Sequence, residues 1–351
     1  MEREDYKSLE GFCSLVRQQK LRTLYRKGKL EIGNFYGLET RIWQNEQIHL
    51  EFLAQAGPRI VRLSLAGSPD NLLAEVPEFT LTSLHGLYYI RGGHRLWHGP
   101  ETADRTYIPD NDGLTIVETS TGFHLIQPRE RPTGIRKSIE VEPGPDKPTV
   151  TLHHHLRNEG LWPVQLAPWA ITQMRLGGVG ILPQQVGPLD AGGFLPNRHF
   201  ALWSYSQIQD RRLHLGDDFI LVETEPTAAP FKIGCLNRQG WLAYLWRDVL
   251  FVKRFRPQPE QPHVDMGCNA EIYVNDQFLE LETLAPLQTI EPGETITHTE
   301  KWELYGDVPQ SQPVKEVVTK ILTLDNRRVK HPLAGVIAAR KDTNHPLPHS
   351  N

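Results

Sequence analysis

Apolar and polar residues trade places in short runs along most of this chain, with a period nearer two than three or four. Runs rich in Val, Ile, Leu, Thr and aromatic residues, bounded by Gly and Pro, predict strands over 47–54, 59–65, 114–119, 122–127, 149–157, 219–223, 240–245, 271–274 and 295–305. In TVTLHHHLR, alternation puts Val150, Leu152, His154 and Leu156 on one face and Thr151, His153, His155 and Arg157 on the other. In FLELETL, Leu279 and Leu281 alternate with Glu280 and Glu282, so the two carboxylates share a face. Short strands recurring every 8 to 12 residues or so indicate an all-β sandwich or barrel.

Helical spacing is confined to the ends. Residues 5–27 read as one basic amphipathic helix, with Leu15, Leu21 and Leu24 among Arg17, Lys20, Arg22, Arg26 and Lys27; a solvated helix on the sandwich is preferred to one on a membrane surface. Pro313 followed by VKEVVTKILTL suits a first helical turn, and DTNHPLPHSN reads as a frayed tail. No repeat or low-complexity linker divides the chain. The expected organisation is a helical and strand extension over 1–44, one β-sandwich over 45–306, and a helix with a flexible tail over 307–351.

The chain has 351 residues, 39% hydrophobic and 23% charged, enough to bury a large core. A net charge of −4 provides no chain-wide positive field, so no nucleic-acid partner is expected. The first thirty residues lack the apolar run and small-residue cleavage site of a secretory signal, and no run of about 18 apolar residues occurs elsewhere. No membrane partner is expected, and the expected compartment is the cytoplasm. Cys13, Cys235 and Cys268 lack CxxC spacing, which argues against a disulfide framework and a thiolate zinc site. GxGxxG before a helix, GxxxxGK[ST], GxSxG and HExxH are absent, and GGVG at 177–180 lacks the lysine of a phosphate loop. No cofactor is expected. His153 and His155 share a strand face, but the sequence offers them no third ligand, so no metal is expected either.

Two segments carry candidate chemistry. YYIRGGHRLWHGPE (88–101) combines Gly92-Gly93, which lets backbone approach a ligand closely, with donors on Arg91, His94 and His98, the flat face of Trp97, and Glu101. That mixture suits a sugar, whose C–H faces stack on aromatic rings and whose hydroxyls ring the edge; the alternative is a turn with Trp97 in the core. The face shared by Glu280 and Glu282 could hold a general base or be a solvated outer face. Asp265 and Glu271 flank a strand start in HVDMGCNAEIYVN, as cap, rim or site residues. Asn111 and the Asn197-Arg198 pair read equally as loop residues.

These residues bear a family resemblance. LETLAP…IEPGETITHTEKWEL resembles the last strands of the galactose mutarotase-like (aldose 1-epimerase-like) superfamily, where an LET-type strand holds the catalytic glutamate; the match falls on Glu282. IRGGHRLWHGPE resembles the superfamily's HGG or RGG motif, with Arg91 as in the hexose-6-phosphate epimerase branch, and VTLHHHLRNEGLWPVQLAPWAIT resembles its central strands around Asn158. Together they span about residues 45–305 in order. The closest likeness is to an uncharacterised branch, through GGHRLWHGPE, TGIRKSIEV, APWAIT, LPNRHFALW, KIGCLNRQGW and FLELETLAPL. The resemblance implies a β-supersandwich, with the helical extensions at either end, that binds a monosaccharide or sugar derivative.

For the epimerases it further implies interconversion of anomers, a base taking the proton of the anomeric hydroxyl while an acid protonates the ring oxygen. The epimerase acid is a histidine in an HxYF-like segment; LAPWAIT has Pro168 and Trp169 there, and Arg91 stands where HGG begins. His94 or His98 could replace that acid. The expected catalytic residues are therefore Glu282 and His94, with Arg91, Trp97, His98, Glu101, Trp169, Arg198, Lys253, Asp265 and Glu271 binding substrate. The alternatives are a non-catalytic sugar-binding or sensing domain, and an enzyme on phosphorylated or acidic sugars whose clamp is Arg91 with Arg198, Lys232 or Lys253.

Overall fold

The structure, a computed structural model, describes residues 28–226, 229–309 and 314–326. Two antiparallel sheets make up nearly all of it. The larger, of 12 strands, runs β1 (Lys29–Phe35), β2 (Leu38–Gln44), β3 (Ile48–Leu53), β4 (Arg59–Leu65), β6 (Gly86–Gly99), β11 (Val164–Met174), β20 (Leu279–Leu284), β19 (Ala270–Val274), β16 (Phe231–Cys235) and β13 (Phe200–Leu202). Beside this path, β5 (Glu75–Ser83) pairs with β6 and β21 (Gln288–Ile290) with β11. The smaller sheet has 10 strands, in the order β14 (Leu213–Leu215), β15 (Phe219–Glu223), β12 (Val179–Pro183), β17 (Trp241–Trp246), β18 (Val249–Phe255), β22 (Thr295–Tyr305), β10 (Thr149–Asn158), β9 (Ile135–Pro143), β8 (Phe123–Ile126) and β7 (Thr115–Glu118).

The expected all-β sandwich is what forms, and every strand read from alternation is present. Leu50, Phe52 and Leu281 of the large sheet and Leu152, Leu242 and Trp302 of the small one belong to one buried apolar cluster, the side chains that period two turns inward. Residues 29–44, expected in an extension, are instead the first two strands of the large sheet; IHLEFL of β3 pairs with β2 residue by residue and extends the sheet to them. The amphipathic helix expected over 5–27 lies outside the described residues. The C-terminal helix α1 (Val314–Asn326) belongs to a second compact unit beginning at Pro309. No helix among the described residues is long and apolar enough to cross a membrane.

The segment 88–101 is not a loop. All but its last two residues lie in β6, a 14-residue strand whose residues from Ile90 to Gly99 are all buried. Its glycine pair serves close approach between strands: a Cβ on Gly92 would lie 2.0 Å from the Ala74 carbonyl oxygen, and one on Gly93 would lie 2.1 Å from that of Ile60. Arg91, Gly92 and Gly93 all have positive φ, 58°, 89° and 74°, so the strand bends sharply where it leaves β5 for β4 and β11. Gly93→Ala is expected to destabilise the protein by at least about 2 kcal/mol, because both the dihedral and the backbone contact resist a methyl group. A urea-unfolding midpoint unchanged from the parent would contradict this.

Candidate functional site

Cross-strand register builds the site. On the outward face of the large sheet, Trp97 of β6 lies opposite Trp169 of β11. One step along, Arg95, Ile171, Glu282 and Glu271 form a row over β6, β11, β20 and β19. A second row runs Gln173, Glu280, Tyr273 and Lys232, ending on β16. These positions alternate with Leu279, Leu281 and Ile272, whose side chains enter the core between the sheets.

Each charged group in these rows has a partner. Lys232 Nζ is 2.9 Å from Glu282 Oε2 and 2.7 Å from Glu271 Oε2. It also lies 4.9 Å from the ring centre of Trp169 and 4.5 Å from that of Trp203. Trp169 Nε1 donates to Glu282 Oε2 at 2.7 Å. Arg95 Nη2 and Gln173 Nε2 each donate to Glu280 Oε1 at 2.9 Å, and the Arg95 guanidinium covers the Trp97 ring at 4.2 Å. Trp97 Nε1 donates to Tyr88 Oη at 2.8 Å, and Tyr107 donates to Glu101.

Burial alone would lower the Lys232 ammonium, but Glu271 and Glu282 hold it well above the ordinary lysine value. Burial raises the Glu271 carboxyl well above the carboxylate range, Lys232 offsets part of that, and Glu282 adds to it. Glu280 is raised for the same first reason, with Arg95 opposing, and burial pushes Tyr273 up to about 12. Lys232 thus keeps its charge between the two carboxyls, and Glu271 is the one that burial draws toward its protonated form.

Above these groups lies a cavity of about 270 Å³. Trp97, Trp169, Tyr107, Tyr205, Tyr273 and Phe278 give it aromatic walls, and Arg95, Lys232, Glu101 and Glu280 supply its polar edge. Glu282 and Glu271 lie beneath that lining, fully buried. Three oxygens there, Glu282 Oε1 and both of Glu271, are shielded from solvent without a hydrogen-bond partner, Glu271 Oε2 having only its ion pair with Lys232.

Of the residues expected in the site, Trp97, Glu101, Trp169, Glu271 and Glu282 converge here. Asp265 joins them at the rim of the Glu271–Lys232 group: burial raises its carboxyl, and Lys232, Glu282 and Glu101 all act on it. Five others do not. His94, expected as the acid, is turned to the opposite face of β6, where its Nε2 lies 2.7 Å from His154 Nε2 and its Nδ1 2.9 Å from Thr172 Oγ1. His98 shares that face and is buried near Glu130 and Lys137. Lys253 sits between the sheets, bonded to Ala170 O, Thr172 Oγ1 and Leu281 O and paired with Glu300. Arg91 is buried against Asp110 and Asn111, at 3.0 and 2.6 Å. Arg198 is exposed and donates to Asp217.

Arg95, Tyr107, Tyr205 and Tyr273 are absent from the site that the sequence predicts, where Glu280 figures only as sharing a strand face with Glu282 and Lys232 only as part of an anion clamp. Arg95 lies two residues from Trp97, so strand alternation would have paired them had β6 been read as a strand. The part played by Lys232 depends on the pairing of β16 with β19, which no local pattern shows.

No family model matches this chain, and no curated protein matches it. Among solved structures, it resembles a TPR-domain containing protein from Parabacteroides distasonis, at 12% identity and a TM-score of 0.53, over 80% of this chain and 51% of that one. The chain thus spans about half the length of that protein. It also resembles a Klebsiella pneumoniae protein assigned as an aldose 1-epimerase, at 11% identity and a TM-score of 0.52, over 84% of this chain and 86% of that one. At these identities the likeness is one of fold.

Proposed function

We propose that this chain, which has the galactose mutarotase-like fold, binds a monosaccharide-sized carbohydrate in the aromatic cavity of its large sheet and does so without turning it over. One observation carries this reading: Glu282, the position the resemblance gives to the catalytic base, is fully buried and held by both the Lys232 ammonium and the Trp169 indole N–H. A general base must come within roughly 3 Å of the proton it takes. Here Lys232 and Trp169 occupy Oε2, and Oε1 is shielded beneath the cavity lining. The imidazoles of His94 and His98 face the other side of the sheet, so neither reaches a sugar in this cavity.

What remains is well suited to holding a ring. Indole and phenol faces stack on sugar C–H groups, while Arg95, Glu280 and Glu101 offer donors and acceptors to hydroxyls. The volume of about 270 Å³, just below the roughly 300 Å³ at which ligand cavities begin, favours one sugar unit over a chain. The anion clamp of the phosphorylated-sugar alternative has little support: Arg91, Arg198, Lys232 and Lys253 lie in four separate places, each already bonded to a carboxylate.

A panel of neutral monosaccharides, their 6-phosphates and uronates, followed by calorimetry and tryptophan fluorescence, tests the reading. A neutral sugar is expected to bind, and Tyr205→Ala, at the exposed rim, to weaken it about fivefold. A panel without a neutral-sugar ligand would overturn it.

A second reading, slow anomer interconversion, is favoured by the cross-strand placing of Glu271 beside Glu282, since an acid and a base are both required and burial raises the Glu271 carboxyl. Polarimetry separates the two. Acceleration that is lost in Glu282→Gln would establish turnover; none above buffer is expected.

A further inference from the structure

The outward face of the smaller sheet holds a cluster unconnected with the cavity. His124 of β8, Glu140 of β9 and His155 of β10 stand on three adjacent strands, and their ligand atoms all lie within 4.8 Å of one another. We propose that these three side chains bind one divalent transition-metal ion, with zinc the best match.

The geometry supports an ion in three ways. First, His124 Nδ1 is 3.8 Å and His155 Nε2 is 3.5 Å from the same oxygen, Glu140 Oε1. Two ligands each about 2.1 Å from a tetrahedral zinc lie roughly 3.4 Å apart, so each imidazole needs only a few tenths of an ångström of adjustment relative to Glu140, and the two ring nitrogens lie within 4.8 Å of each other. Both separations are too long for hydrogen bonds. Second, the rings are held from behind. His124 Nε2 bonds Ser138 Oγ and His155 Nδ1 bonds Thr297 Oγ1, both at 2.9 Å, which leaves the other nitrogen of each ring directed at Glu140. Outer contacts of this kind orient imidazoles at metal centres. Third, His155 Nε2 is shielded from solvent with no hydrogen-bond partner, a cost that coordination would remove.

Side-chain exposures of 26% for His124, 38% for Glu140 and 19% for His155 leave an entry path and room for water as a fourth ligand. Two imidazoles and one carboxylate suit zinc and its first-row neighbours over calcium or magnesium, which prefer oxygen alone. The sequence displayed only the His153 and His155 pair; the structure turns His153 toward Glu142 and supplies Glu140 and His124 in its place. A second trio, His94, His154 and Glu300, is closed by its own contacts, with the imidazoles bonded to each other and Lys253 2.9 Å from Glu300.

The test uses the full chain, stripped by chelator and titrated with Co²⁺, read by visible d–d absorption, and then with Zn²⁺ by calorimetry. A single tight equivalent is expected. His124→Ala and His155→Ala should each weaken it by more than about a hundredfold, and Thr297→Val, which removes only an outer contact, by about tenfold. His153→Ala should leave it within about threefold of the parent, a difference smaller than that of an outer contact. Circular dichroism confirms that each variant folds. Failure of the parent to bind one equivalent, equal binding by the His124→Ala/His155→Ala pair, or loss of binding in His153→Ala would each overturn the proposal.

Discussion

Lys253→Met is expected to lower the stability of the sandwich by about 3–5 kcal/mol, the usual cost of removing one partner of a buried ion pair. The ammonium is fully buried, with Ala170 O, Leu281 O and Glu300 Oε1 each at 2.9 Å and Thr172 Oγ1 at 3.0 Å. Methionine fills a similar volume but leaves all four acceptors without that donor. The penalty is dominated by Glu300, whose carboxylate is fully buried; burial would raise it, and Lys253 opposes that effect most strongly. Melting temperature should fall by something on the order of 10 °C. Lys253→Met/Glu300→Gln should regain part of the loss, because the stranded charge is then gone too. Thermal and urea denaturation of the parent, both singles and the double variant measure the coupling. A single-variant loss under about 1 kcal/mol would mean that the pair is not the anchor its geometry indicates.

Acid should unfold the protein steeply, beginning near the ordinary histidine pKa. His298 accepts or donates to Thr283 Oγ1 at 2.7 Å; burial pushes its imidazole down to about 4, against the pull of Glu300 and with the help of Lys253 and His263. His94 is likewise held well below its ordinary value, first by burial and then by His154, Lys253, Arg95 and Arg59. In the unfolded chain both regain a pKa near 6.5, so between pH 6.5 and about 4 the unfolded state binds more protons. Stability is therefore complete above this window and lost as pH falls through it, by about 1.4 kcal/mol per pH unit for each imidazole. For His298 alone, with its folded value near 4, this amounts to something on the order of 3 kcal/mol, and His94 acts in the same direction. Urea titrations at pH 7, 6, 5 and 4.5 should show that slope, and His298→Gln should flatten it. Equal stability at pH 7 and pH 5 would contradict the account.

The fold was legible wherever one face of a strand is wet. In 149–157, Leu152 and His154 enter the interior while His153 and His155 stay outside, and the alternation reads directly. It failed at β6, where Arg95 and Trp97 on one side and His94, Leu96 and His98 on the other are all buried, so no polar-outside rule applies. Leu96 between His94 and His98 was the available clue that the two histidines face the core. About half of the site was legible, through the LET strand, Trp169 and the segment around Trp97. The rest was not, because the pairing of Lys232 with Glu282 joins positions 50 residues apart across β16, β19 and β20.

The dense two-sidedness of β6 makes the length of its turn a discrete variable. Deleting or inserting a single residue between Gly93 and Arg95 would exchange the two sides at once, driving a guanidinium and an indole into the hydrocarbon interior while expelling two imidazoles into the ligand chamber. No gradual route joins those two arrangements, so this part of the chain can vary by substitution but not by change of spacing.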